Sequence, residues 1–315
     1  MKLIESSHWR LWIDSERGSQ WRAAQVYHND KWLDVMPDCR DADPQASATP
    51  AIERAGQSAT APLAAANFHM IPYSNRIRDA RFTFDGKTIQ LEGAEKHAMH
   101  GALRALPWQV TSSESNRLVC EFDSRNTSTV LNWPWPLHAQ IDQWLDNRHL
   151  HSCIKITNHG ESAMPVGTGW HPYFVRSIDG SQPSLTLPVS GVFPDASGDC
   201  LPDGKPVALP QDLDFNRKRQ LNPDQRIDCC LAGLSGSCHI HWAEAGIELV
   251  MTGDDQCEYL VLFNPDMPHF AVEPVTNAND AFNLTSQNIQ SGTRVLSPGE
   301  TFSVSLKISF NAVGA

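Results

Sequence analysis

His171 stands in Gly167-Thr-Gly-Trp-His-Pro-Tyr-Phe174, between a glycine pair and a Pro-aromatic run, just past a Pro-containing bend at Met164-Pro165. Histidine is the side chain whose free pKa lies nearest neutrality, so it suits proton transfer at physiological pH. Pro172 fixes its own φ and biases His171 toward an extended backbone, while glycine lets a backbone approach a ligand closely. Glu273 closes an apolar run in Phe270-Ala-Val-Glu-Pro-Val275 and is pinned by Pro274. If it faces inward it is desolvated, which raises a carboxylate pKa toward the range of a general base; the competing reading is a surface carboxylate at a strand terminus. His100 precedes Gly101. Asp228 sits beside Ile227, Cys229 and Cys230, as a buried hydrogen-bonding carboxylate or as a turn residue. Asn75-Arg76 puts an amide and a guanidinium side by side in a stretch that also reads as a plain turn. Tyr173 and Phe174 offer aromatic surface that either packs in a core or lines a pocket.

Those residues need elements to hold them, and the chain supplies strands. Arg81 to Leu91 reads as two short alternating strands joined by Asp85-Gly86, a strong hairpin signal. Further strands are expected near 117–122, 139–145, 149–157, 184–189, 238–243, 246–252 and 259–264. Phe302 to Phe310 alternates over nine residues as a half-buried antiparallel strand. Trp133-Pro-Trp-Pro136 is no interior strand, because proline cannot donate to the ladder. Residues 1–36 read as edge strands, 38–62 as a loop, and Ala64–Ala66 as a piece too short to define a helix-based architecture. No amphipathic helix of more than a few turns is expected. Strands at roughly ten-residue spacing with Gly/Pro punctuation predict an all-β sandwich or barrel.

Composition narrows the ligand. The 315 residues are 41% apolar and 19% charged, as in ordinary globular proteins, and are read as one domain over 1–315. A formal charge of −11 argues against a nucleic-acid or anionic-membrane partner and favours neutral small molecules. No segment reaches the ~18 apolar residues of a membrane span, and the start carries no signal-peptide pattern. Eight scattered cysteines without a CxxC pair read as reduced thiols in a cytoplasmic protein, and neither they nor His100, His171 and His269 have metal-ligand spacing. Oligomeric state is not encoded in any pattern found.

Taken in order, the segments resemble the aldose 1-epimerases (galactose mutarotases). The matching pieces are Asn75-Arg76-Ile77 with Phe82…Asp85-Gly86, His100-Gly101 with Trp108-Gln-Val110, and Trp133-Pro-Trp-Pro136. Then come Asn158…Met164-Pro165…Gly169-Trp-His-Pro-Tyr-Phe174, Leu201-Pro-Asp-Gly204, and Leu213-Asp-Phe215 with Asp228. The last are Phe270-Ala-Val-Glu-Pro-Val275…Asp280-Ala-Phe-Asn283 and Leu296-Ser-Pro-Gly-Glu300, so the resemblance covers roughly residues 67–310. The approach to His100 departs from the galactose enzymes, with no Asn-rich stretch before it and no second glycine after Gly101. The first 60 residues also match poorly.

The resemblance implies a large antiparallel β-sandwich (a supersandwich) that binds a free monosaccharide on an open concave face. It implies Glu273 as general base, His171 as general acid, His100 as an assisting polar contact, and Arg76 and Asp228 as ligands of sugar hydroxyls, with Asn75, Trp170 and Tyr173 beside them. Anomer interconversion needs one base and one acid, expected on opposite sides of the ring, and no cofactor or metal. Two rival readings use the same residues: a glycoside hydrolase built on Glu273 and Asp228, and a non-catalytic carbohydrate-binding protein.

Overall fold

The computed structural model describes residues 1–42, 63–92 and 96–314. Among them, strands account for nearly all regular structure, and the one α-helix is the short Ala281–Ser286. Two large antiparallel sheets dominate. The nine-stranded sheet centres on Leu137–Asp146, His149–Asn158, Thr301–Ala312 and Ile247–Gly253. The seven-stranded sheet runs from Gly191–Val192 through Ile227–Ala232, Tyr259–Asn264 and His269–Val275 to Gly169–Trp170 and His69–Met70, with Tyr173–Val175 also paired to His269–Val275. Alternation decides the faces. Ile154, Val304 and Leu306 of the first sheet and Leu260, Leu262, Phe270 and Val272 of the second meet in one apolar core.

The sequence-based strands near 117–122, 139–145, 149–157, 238–243, 246–252 and 259–264 are present. So is the hairpin: Arg81–Phe84 pairs with Lys87–Gln90 across Asp85 and Gly86, both at positive φ (50° and 71°), the twist that a two-residue hairpin turn requires. The expected tail strand extends to Thr301–Ala312 with alternating burial. Trp133 and Trp135 lie outside any strand, packed with Phe82 and Phe282.

Three expectations are corrected. Residues 1–36 form their own four-stranded sheet instead of edges, and they bury Trp9, Leu11, Ile13 and Trp21 in the common core. Ala64–Ala66 is non-helical, and Ala66 accepts the main-chain N–H of Tyr173. Met164–Val166 is a short strand paired with Arg294–Leu296; an isolated two-stranded ribbon tolerates Pro165 where a bend was expected. The loop expected over 38–62 lies from residue 43 onward outside the described residues. All eight cysteines are free thiols, and adjacent Cys229 and Cys230 point to opposite faces of their strand. No helix among the described residues is long and apolar enough to cross a membrane.

Candidate active site

The site lies on the face of the seven-stranded sheet turned away from the sandwich core. Along His269–Val275, Phe270 and Val272 point into the core, so Ala271, Glu273 and Val275 point the other way. Register then sets the neighbours. Gly169 lies opposite Val275 and Tyr173 opposite Ala271, which carries His171 opposite Glu273. Pro172 interrupts the ladder at this point because it has no N–H to give. On its other side His171 donates its main-chain N–H to Phe68 at 3.0 Å. Glu273 in turn faces Val261, and Val261 faces Cys230. A single row across five chain segments therefore reads Phe68, His171, Glu273, Val261, Cys230.

In that row His171 Nε2 lies 3.2 Å from Glu273 Oε1, with both side chains almost wholly enclosed (2% and 1% exposed). Glu273 is thus an inward carboxylate in mid-strand, and the surface-terminus reading is excluded. The acid and base were expected across a ring from each other; they stand in contact, because direct cross-strand neighbours have Cβ atoms only ~5 Å apart. An imidazole and a carboxylate at this distance are within reach of direct proton transfer.

A second pairing brings in His100. Arg76–Ile77 pairs with Ala98–Met99, and Asn75 accepts the His100 main-chain N–H at 2.7 Å. Asn75, His100 and Gly101 all take positive φ, and a side chain at Gly101 would collide with the Ile71 carbonyl. The His100 ring meets His171 edge-on at 5.1 Å and packs on Phe68 at 5.2 Å, with its Nδ1 3.3 Å from Met70 Sδ. Burial, then the Arg104 and Arg76 guanidinium charges, hold the His100 pKa well below its ordinary value. His100 is a neutral imidazole, fit to exchange hydrogen bonds and unfit to supply a proton at neutral pH.

Arg76 is buried and reaches Asp228. Both Nη atoms lie 3.4 Å from Asp228 Oδ2, and Nη1 also donates to the Asp199 carbonyl. Asp228 is not the buried carboxylate or the turn residue considered from sequence. It lies within the strand Ile227–Ala232 with its side chain 33% exposed, and it is where the site meets solvent.

Two aromatic assignments separate. Tyr173 is on the site face, its ring 4.6 Å from that of His171. Trp170 is not. Strand alternation turns it into the sandwich, where it is fully enclosed and donates Nε1 to Ser152 Oγ of the nine-stranded sheet at 2.9 Å, so it has no surface for a sugar. The glycine pair likewise serves packing: a Cβ on Gly167 would strike the Asn277 side chain, and one on Gly169 would strike Pro274 and Val275. Nor is this face open. Cys39, Leu63 and Ala65 join Phe68, Met70, Tyr173, Val261 and Phe263 of this face in a second apolar cluster.

Sequence reasoning missed Phe68, Met70 and Arg104. Phe68 lies under both imidazoles, and the Arg104 guanidinium sits over the Phe68 ring at 5.5 Å. Only the alternation in Asn67-Phe-His-Met could have indicated that Phe68 and Met70 share a face. The structure brings His100, His171 and Glu273 into one cluster. Among the described residues no group of three His, Cys, Asp or Glu side chains is placed to hold a metal ion.

The chain matches known proteins in sequence and in fold. The family model for aldose 1-epimerase matches residues 59–309. An uncharacterized protein of Escherichia coli K12, YphB, is 27% identical over 244 residues, 72% of this chain and 78% of its own. Among solved structures, a galactose mutarotase-like protein from Clostridium acetobutylicum superposes with a TM-score of 0.82 at 17% identity, covering 99% of this chain and 95% of the other. Galactose 1-epimerase from Lactobacillus acidophilus gives 0.74 at 14% identity, covering 99% and 94%. At these identities the structures establish the shared fold, a galactose mutarotase-like β-sandwich.

Proposed function

The chain belongs to the aldose 1-epimerase family, and from that premise we propose that it is a mutarotase, an isomerase that interconverts the α and β anomers of a free aldose. The observation that carries the reading is the enclosed contact of His171 Nε2 with Glu273 Oε1 at 3.2 Å. Opening a pyranose requires loss of the proton on the C1 hydroxyl and gain of one on the ring oxygen. Both oxygens are bonded to the same carbon, so an acid and a base standing together can serve them.

Glu273 takes the C1 hydroxyl proton while His171 protonates the ring oxygen, and the bond from C1 to the ring oxygen breaks to give the open-chain aldehyde. Rotation about C1–C2 presents the other carbonyl face. The groups then run in reverse, His171 as base and Glu273 as acid, and the opposite anomer leaves. A well-placed general acid or base is worth ~10²–10⁴-fold, roughly 3–5 kcal/mol off the barrier. His100, held neutral, hydrogen-bonds the reacting oxygens. Arg76, Asp228 and Asn75 bind ring hydroxyls, and Tyr173 backs the His171 ring. The chemistry calls for no cofactor. We further read residues 1–315 as one domain acting in the cytoplasm.

The hydrolase alternative is disfavoured by register. Asp228 is two strands from Glu273 and one row along, about 12 Å between α-carbons from standard strand spacings. Two-carboxylate glycosidases aim both carboxyls at one scissile bond, whereas here Glu273 pairs with His171 and Asp228 with Arg76. A protein that only bound sugar would have no use for an enclosed His–Glu pair. Exchange NMR of anomer interconversion over a panel of free aldoses tests the proposal. Acceleration for at least one sugar is expected; none for any sugar, with an aryl glycoside cleaved instead, would overturn it.

A further inference from the structure

Asn279 is a buried polar residue that the acid–base scheme leaves without a role. It is fully enclosed, and its Nδ2 donates to the Cys200 carbonyl at 2.6 Å and lies 2.9 Å from Cys200 Sγ. Those contacts fix the carboxamide and turn Oδ1 away from Cys200. Among the described residues Oδ1 has no hydrogen-bond partner. Buried acceptors left unpaired are costly and few in native proteins.

Its surroundings belong to the candidate site. The Asn279 main-chain N–H reaches the thiol of Cys230, which ends the row containing His171 and Glu273. The next residue, Asp280, donates its main-chain N–H to the Arg76 carbonyl at 2.7 Å. Arg76 in turn holds the carbonyl of Asp199, so Arg76 and Asn279 grip consecutive carbonyls of one turn. Asn279 therefore stands toward the Arg76–Asp228 end of the site, on the far side of Glu273 from His171. Asn75, next to Arg76 in the chain, offers a second buried carboxamide oxygen with no partner among the described residues.

We infer that Asn279 is a specificity-determining residue whose Oδ1 accepts a hydrogen bond from a sugar hydroxyl remote from the anomeric carbon. The inference rests on the reading of this site as an aldose site. Paired with Asn75, it makes the Arg76 end of the site demand hydroxyl donors. A sugar that lacks the hydroxyl leaves the acceptor buried and unpaired, and this makes hydroxyl-reading sites selective.

The test compares wild type with Asn279→Ala on a parent aldose and its monodeoxy analogues, by exchange NMR. In wild type, one analogue altered away from C1 should lose at least ~10-fold in kcat/KM. Asn279→Ala should lose as much on the parent and nothing further on that analogue. Full activity of Asn279→Ala on the parent, or an equal proportional loss on the parent and every analogue, overturns the assignment. If the alanine variant melts early, Asn279→Ser, which likewise leaves no oxygen at the Oδ1 position, gives the same comparison. Calorimetric binding of 1,5-anhydrohexitols, which have no anomeric hydroxyl and cannot open, separates this inference from the mutarotase reading. If wild type interconverts no anomers, that reading fails, and Asn279 is judged by binding alone. Binding weakened ~10-fold or more by Asn279→Ala supports the assignment, and equal or absent binding in both proteins ends it.

Discussion

Asp228 Oδ2 lies 3.4 Å from both terminal nitrogens of Arg76, so a partly exposed carboxylate orients a buried guanidinium. Asp228 stands two strands from Glu273 and one row along. Asp228→Asn should therefore raise KM about 10-fold and leave kcat within a few-fold, the pattern of lost binding that is equal in ground and transition states. Polarimetry on fresh α-anomer measures both constants. A kcat lowered ~10³-fold with KM unchanged would put Asp228 in the chemistry instead.

Trp170 joins the two sheets through its hydrogen bond to Ser152. Trp170→Phe removes that bond and opens a small cavity, at a cost of about 2 kcal/mol or more. The melting temperature should fall by several degrees while KM for the sugar is unchanged. A raised KM in a protein that melts like wild type would return Trp170 to the binding surface.

How much of this was legible in sequence depends on separation along the chain. Asp85-Gly86 announces its hairpin because the turn chemistry and both strands fit within ten residues. The tail strand is equally local, since its alternation is complete within itself. Trp170 and Tyr173 were indistinguishable as aromatics. Only the register of Gly169 against Val275 decides that one faces the nine-stranded sheet and the other the site. The contact between His171 and Glu273 joins residues a hundred positions apart, and no periodicity reports such a pairing. Resemblance to a family supplied the two names; the ladder supplies the reason they meet.

Three enclosed histidines make stability depend on pH. Burial drives His69 down to about 3 despite a hydrogen bond to the Gly18 backbone. Burial, with the Arg176 charge, drives His269 to about 4, and His100 is well below its ordinary value. In the unfolded chain each titrates near 6.5. Below that pH the unfolded state binds more protons than the native state, so stability is full above ~6.5 and falls as the solution is acidified. Between pH 7.5 and 5.0 each group costs about 2 kcal/mol. Urea titrations at the two pH values should show the loss, and His269→Gln should remove roughly a third of it. A wild-type stability that is flat over this range would contradict the neutral-histidine assignment.

Glu273 and His171 should fail together. Glu273→Gln and His171→Asn keep shape and remove the proton-transferring atom, and each should lower anomer interconversion at least ~10²-fold. The double variant should be little worse than either single one, because both groups serve one proton exchange and such effects are not additive. Wild-type rate should be bell-shaped in pH. It falls on the acid side when Glu273 gains a proton and can no longer act as base, and on the alkaline side when His171 loses the proton that the ring oxygen needs. His100, already neutral throughout, should contribute neither limb, so His100→Gln should lower the plateau and leave both limbs in place. Circular dichroism confirms folding, and polarimetry reads the rates. Full activity in Glu273→Gln would remove the base, and with it the mutarotase reading. A multiplicative double variant would mean that the two side chains act in separate steps in spite of their contact at 3.2 Å.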